Sequence, residues 1–215
     1  MLTLHTYWRS SAAYRVRIAL AYKGLAWQAI NINLLNDEQR GAEYRALNPQ
    51  GLVPLLQDNS SVITQSLAIM EYLEETHPHP PLLPSTPAER ARVRSMMLLI
   101  ACDIHPLNNL RVTRYLKDRL GQSPSHVDEW IRHWIHEGFQ ALEGQVTGTD
   151  RYLGGDSVTL ADVCLVPQLY GAARFNCDLR DYPKLVAIGT RLAELPAFSA
   201  AHPDRQADAP SALKN

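Results

Sequence analysis

The chain has 215 residues, 46% of them hydrophobic and 20% charged, and a net charge of −1 at pH 7. That is length for one large or two small domains, and a pI near 6.7 without a basic cluster argues against nucleic acid or a membrane surface as partner. The longest strictly apolar run, about residues 96–102, is far short of the roughly 20 residues a membrane helix needs. The first residues enter a strand pattern directly, so no signal peptide is expected. Cys102, Cys164 and Cys177 are widely spaced, odd in number and without a C-x-x-C pair. They predict buried, reduced thiols and a cytoplasmic setting.

In chain order, residues 2–7 alternate as a strand, and Ala12, Val16, Ala19, Leu20 and Lys23 then follow helical spacing up to Gly24. Ser10 and Ser11 therefore stand where a strand turns into a helix. Unpaired N–H groups and the positive end of the helix dipole meet there, a place to hold an anion or lower a thiol's pKa. Either serine could equally be a plain cap. Residues 27–33 read as a strand and residues 37–47 as weakly helical. Val53-Pro54-Leu55-Leu56-Gln57, the turn Asp58-Asn59 and Ser61-Val62-Ile63-Thr64 read as a hairpin. Ser66 is expected to cap a helix with apolar positions at Leu67, Ile69, Met70 and Leu73.

A proline-rich stretch over residues 77–84 reads as an interdomain linker. Beyond it the strand signals stop. Thr86-Pro87-Ala88-Glu89 opens a helical stretch to about Leu120, with a kink expected at Pro106. Residues 127–146 put Val127, Trp130, Ile131, Trp134, Ile135, Phe139 and Leu142 on one face. Thr159-Leu160-Ala161-Asp162 is a further helix start, with Val158 placed as a staple, and the tail beyond His202 is expected to be loose. His133 and His136 have metal-ligand spacing, but no third ligand is evident, so no metal is expected. The expected architecture is an α/β domain of order βαβαββα over residues 1–80, a linker over 81–86 and an all-α domain over 87–215.

The run Arg9-Ser10-Ser11-x-x-Tyr14-Arg15-Val16-Arg17-Ile18-Ala19-Leu20 resembles the zeta class of glutathione transferases, whose first domain is thioredoxin-like. Ala46-Leu47-Asn48-Pro49-Gln50, Gln65-Ser66-Leu67-Ala68-Ile69, Glu71-Tyr72-Leu73-Glu74-Glu75 and Leu165-Val166-Pro167-Gln168 resemble it in register. The resemblance covers about residues 1–210. It implies glutathione as cofactor, with Ser10 and Ser11 at the thiol and Ser10 as the principal hydroxyl. Gln65 and Ser66 would take the γ-glutamyl carboxylate, and the backbone of Val53 the cysteinyl part. Gln39, His105 and Asn109 align with further glutathione contacts. Two positions depart from the pattern: Ala12 stands where the class has cysteine, and His105 where it has glutamine.

The activity so implied is cis–trans isomerisation of maleylacetoacetate to fumarylacetoacetate by reversible thiolate addition, in aromatic amino-acid catabolism. The substrate is a small dicarboxylate, so Arg9, Arg111 and Arg174 are the candidate partners for its acid groups. Maleylpyruvate isomerisation, transferase activity on α-halo acids and a non-catalytic binding module are the alternatives. A homodimer is expected by analogy.

Overall fold

The computed structural model describes residues 1–213. The alternating N-terminal segment is strand β1 (Leu2–Thr6), and it lies inside a four-stranded sheet of order β2-β1-β3-β4. β2 (Trp27–Asn31) pairs parallel to β1, while β3 (Leu55–Asp58) pairs antiparallel to β1 and to β4 (Ser61–Thr64). Leu4 is paired with Ala29 on one side and Leu56 on the other. A parallel pair needs a crossover, and α1 (Ser11–Tyr22) supplies it. A 3-10 turn (Glu38–Arg40) and α2 (Ala42–Leu47) lead to β3, and α3 (Ser66–Thr76) follows β4 and packs against α1. Leu4, Val16, Ile18, Leu20, Leu55, Leu56, Ile69 and Met70 are buried between sheet and helices.

Two compact units are present, Met1–Leu82 with Glu194–Asn215, and Leu83–Ala193. Part of the expected linker is anchored to the first. The Lys23 ammonium, buried at the end of α1, donates to the Glu74 carboxylate and the His77 carbonyl at 2.7 Å and to the Pro80 carbonyl at 3.0 Å. The Glu74 carboxylate also receives the Leu82 N–H at 3.1 Å.

In the second unit Thr86 caps α4 (Pro87–Leu98), accepting from the Glu89 N–H at 3.3 Å. The single kinked helix expected through Pro106 is instead four successive segments. A π-helical segment (Leu99–Ile104) and a 3-10 segment (His105–Asn108) separate α4 from α5 (Leu110–Asp118). Proline has no N–H to return to the preceding turn, so the hydrogen-bond ladder changes register around it. α6 (Pro124–Gln145) buries Ile131, Ile135, Phe139 and Leu142, and Trp130 donates to the Leu107 carbonyl at 2.8 Å. A Cβ at Gly138 would overlap the Ile104 side chain, so this glycine lets α6 approach the π segment. α7 (Leu160–Arg174) starts at Thr159, and α8 (Pro183–Ala193) completes the unit. His136 pairs with the Tyr182 hydroxyl at 2.9 Å, and His133 lies edge-on to Trp134.

The C-terminal residues depart from expectation. α9 (Pro196–Ala201) packs on α1, and Phe198, Ala201 and Ala209 are buried, so residues 194–213 join the first unit rather than the all-α domain. Residues 214–215 of the expected second domain lie outside the described residues. The segment after His202 is not loose, because Asp208 accepts the Trp8 N–H at 2.9 Å. Of the cysteines Cys164 is buried, whereas Cys102 is exposed on the π segment, so uniformly buried thiols do not hold. Burial pushes the Cys177 thiol up to about 11. No described helix is long and apolar enough to cross a membrane.

Asp162, fully buried at the start of α7, accepts from the Leu153 N–H and from the Thr159 N–H and hydroxyl, each at 2.8 Å. Burial pushes its carboxyl up to about 6, although these donors oppose the shift. The folded-state value lies above the unfolded one, so the stabilisation from holding the proton is full below about pH 4 and is lost as pH rises through about 6. At about 1.4 kcal/mol per unit, wild type should lose up to about 3 kcal/mol relative to Asp162→Asn between pH 4 and pH 7. Urea unfolding of both proteins across that range measures it.

Candidate active site

Three loops of the first unit carry candidate residues. The turn from β1 to α1 carries the first. The Ser10 N–H donates to the Tyr7 carbonyl at 3.0 Å, which closes a turn and leaves Ser10 as N-cap of α1. Its Oγ accepts from the Ala13 N–H at 3.2 Å. The capping reading is therefore correct for Ser10, and it leaves the hydroxyl proton available, because a hydroxyl that accepts can still donate. Ser11 is the first helical residue, and Ser10, Ser11 and Ala12 are all half-buried. Arg9, also half-buried, lies with its guanidinium carbon 5.5 Å from the centroid of the Trp8 ring.

The second loop precedes β3. Val53 is buried and sits outside the β3 ladder, and the Val53–Pro54 peptide is cis. The carbonyl just before it, on Leu52, accepts from the Tyr44 hydroxyl and from Asn48 Nδ2, each at 2.7 Å. Burial pushes the Tyr44 hydroxyl up to about 12, so it stays a donor at any working pH. Gly51, at φ +63°, is required here, since a Cβ would lie 2.9 Å from the Gln39 carbonyl oxygen. Gln39 is buried. Its Nε2 donates to Asp37 at 3.1 Å, and its Oε1 has no hydrogen-bond partner among the described residues. Tyr44 and Asn48 are positioning groups that sequence reasoning did not single out. The turn signal of Asn48-Pro49-Gln50-Gly51 marks the loop, but nothing in the spacing says that both side chains end on one carbonyl.

The third loop opens α3. Ser66 is not the cap: Gln65 occupies that position, at φ 70° and ψ 120°, and Ser66 is the first helical residue. Such a backbone angle costs a non-glycine residue about 1–3 kcal/mol and is found where a site demands it. Gln65 Nε2 donates to Gln50 Oε1 at 2.6 Å, and Ser66 Oγ accepts from Arg15 Nη1 at 3.3 Å. A helix N-terminus, a buried hydroxyl and a buried guanidinium thus meet at one point, which suits a carboxylate. The donors at α3, the buried carbonyl oxygen of Gln39 and the half-buried hydroxyls at α1 fit the carboxylates, amides and thiol of a glutathione tripeptide.

The second unit brings three candidates into one stretch. His105 opens the 3-10 segment, Asn109 caps α5 by accepting from the Arg111 N–H at 3.0 Å, and Arg111 is exposed on the first turn. The capping bond was not expected of Asn109. Arg174 is exposed at the end of α7, with its guanidinium carbon 5.4 Å from the Phe175 ring centroid.

With this geometry in place, the likeness to known proteins is specific. Residues 9–76 match the family described as the N-terminal domain of glutathione S-transferase, and residues 132–196 match its C-terminal domain. A probable maleylacetoacetate isomerase of Vibrio cholerae serotype O1 is 49% identical over 211 residues, covering 97% of this chain and 98% of that protein. A solved holo structure of a bacterial zeta-class maleylpyruvate isomerase is 41% identical with a TM-score of 0.94, covering 97% of this chain and all (100%) of its own. The maleylacetoacetate isomerase of Anaeromyxobacter dehalogenans 2CP-1, solved with dicarboxyethyl glutathione and citrate in its active site, is 44% identical with a TM-score of 0.87 and covers 98% of each chain. The chain belongs to the glutathione S-transferase family, and within it to the zeta class. It is an enzyme of glutathione-dependent type.

The strain at Gln65 is testable without any ligand. Gln65→Gly should raise Tm by about 2–4 °C, the shift that about 1 kcal/mol gives in a chain of this size, whereas Gln65→Ala, which keeps the Cβ, should not. Differential scanning calorimetry of the two variants decides it.

Proposed function

We propose that the chain isomerises maleylacetoacetate to fumarylacetoacetate with glutathione as a cofactor that is not consumed. The observation that carries this reading is the start of α1, where Ser10 caps the helix and keeps a proton to donate, with Ser11 on the first turn and Arg9 beside it. Bound glutathione supplies the thiolate that adds reversibly to the maleyl double bond and so permits rotation about it. The Ser10 hydroxyl, supported by Ser11 and by the α1 N-terminus, holds that sulfur as thiolate. Gln65, Ser66 and the α3 N-terminus hold the γ-glutamyl carboxylate, and the Val53 backbone holds the cysteinyl part. Gln39, His105 and Asn109 hold the rest of the tripeptide. Arg9, Arg111 and Arg174 bind the two acid groups of the substrate and orient its double bond.

With alanine at position 12, the reactive sulfur comes from the cofactor rather than from the protein. The dicarboxyethyl glutathione held by the Anaeromyxobacter relative supports the reading, since it joins glutathione to a four-carbon diacid. The zeta-class maleylpyruvate isomerase favours that neighbouring maleyl acid as the second substrate to test. We propose further that the enzyme is a cytoplasmic homodimer of aromatic amino-acid catabolism.

Purified protein assayed with maleylacetoacetate and with maleylpyruvate should turn over only when glutathione is present, with the glutathione recovered unchanged. Turnover without glutathione, or none with either acid, would refute the proposal. Ser10→Ala should raise the thiol pKa of bound glutathione by about one unit, which is about 1.4 kcal/mol, and lower kcat about tenfold. Ultraviolet titration of the bound thiolate reads the first effect, and an unchanged titration would remove Ser10 from the role.

A further inference from the structure

We infer that the C-terminal segment is part of the thiolate site, and that Arg17 and Asp208 are positioning residues which hold the Tyr7–Trp8 turn and thereby aim Ser10 and Ser11. The inference rests on the role proposed above for Ser10. The Tyr7 carbonyl accepts from the Ser10 N–H at 3.0 Å and also from Arg17 Nη1 at 3.2 Å. The Trp8 carbonyl accepts from Arg17 Nη2 at 2.9 Å, and the Trp8 N–H donates to Asp208 Oδ2 at 2.9 Å. Both backbone polar groups of Trp8 are thus held from outside the turn, one by the second turn of α1 and the other by a residue 200 positions later in the chain.

The same guanidinium reaches further. Arg17 Nε donates to the Ala201 carbonyl at the end of α9 at 3.2 Å, and Nη1 donates to Thr6 Oγ1 at 3.1 Å. Arg17 is 1% exposed, so these bonds are made away from water, where they are strong and directional. The planar fork serves acceptors in fixed directions, which a lysine ammonium cannot imitate. Ala209 of the C-terminal segment belongs to one buried cluster with Tyr7 and Trp8 of the turn, Tyr44 of α2 and Val53 before β3. His202 lies edge-on to Tyr14 of α1, with ring centroids 6.1 Å apart.

Arg17 and Asp208 end on backbone atoms of the residues just before Arg9, Ser10 and Ser11. Movement of the turn by about 1 Å would misplace a hydroxyl that must meet a sulfur, a displacement that typically costs about a hundredfold in rate. A purely structural role of the C-terminal segment would instead show only as lost stability.

The test uses the full-length protein and three variants. In Asp208→Ala, kcat should fall about tenfold and the thiol pKa of bound glutathione should rise by about half a unit to one unit, with KM for glutathione within about twofold of wild type. Asp208→Asn should restore both, because its amide oxygen can still accept the Trp8 N–H. Arg17→Lys should move both in the same direction as Asp208→Ala and further. If Arg17→Lys does not fold, the Asp208 pair decides alone. Wild-type thiol pKa and kcat in Asp208→Ala, whatever its Tm, would overturn the inference. Absence of glutathione-dependent turnover in wild type would overturn the functional reading and this inference with it, whereas an active wild type with an unaffected Asp208→Ala overturns the inference alone.

Discussion

Two guanidinium groups are buried inside the first unit, and the arrangement of the unit follows from where their protons go. Arg15 and Arg17 are among the largest fully buried side chains of the chain. A charge removed from water is tolerated only where its donors end on acceptors. Arg17 meets this through the end of β1, the Tyr7–Trp8 turn and the end of α9; from Arg15, Nη1 alone donates to Ser66 at the start of α3. One helix therefore ties the strand before it, the helix after the hairpin and α9 to a single frame. The start of α1 and the start of α3 cannot shift without breaking buried, charge-assisted bonds.

That rigidity suits chemistry that consists of holding. The protein contributes no thiol at the turn, where alanine follows the two serines. Helix N-termini, hydroxyls and arginines are what it offers, and each lowers the energy of an anion rather than reacting itself. The strained backbone at Gln65 fits the same account, since a backbone angle costing about 1–3 kcal/mol persists where the surroundings over-determine it. The Leu52 carbonyl, held by both Tyr44 and Asn48, sets the direction in which Val53 leaves the loop. Rate in such a site depends on placement, so the groups behind the contacting residues matter as much as the contacts.

Local signals were read well where one residue type has one strong preference. Alternation marks β1, the Asp58-Asn59 turn between two strand-like runs marks the hairpin, Thr86-Pro87 marks the start of α4, and the spacing of Ile131, Ile135, Phe139 and Leu142 marks the buried face of α6. Ser66 was misplaced by one position because serine is equally at home at the cap and on the first turn, and only the backbone angle of Gln65 separates the two. Pro106 announced a disturbance but not its kind, since the choice between a kink and a π segment is made by what packs alongside, here α6 at Gly138. Asn109, expected only as a ligand contact, also proves to be a cap, because its side chain accepts from the Arg111 N–H two residues on.

The sequence by itself determined the order of elements, the βαβαββα start, the helical second half, the serine-bearing helix start and the family whose motifs it carries, because each of these is written in neighbouring residues. Tertiary structure alone decided that residues 194–213 return to the first unit, that Asp208 closes on Trp8, and that Arg17 spans from Thr6 to Ala201. These depend on pairings up to 200 positions apart, and no local periodicity encodes which buried donor finds which distant acceptor. The need for a partner is a property of the residue, while the identity of the partner is a property of the fold.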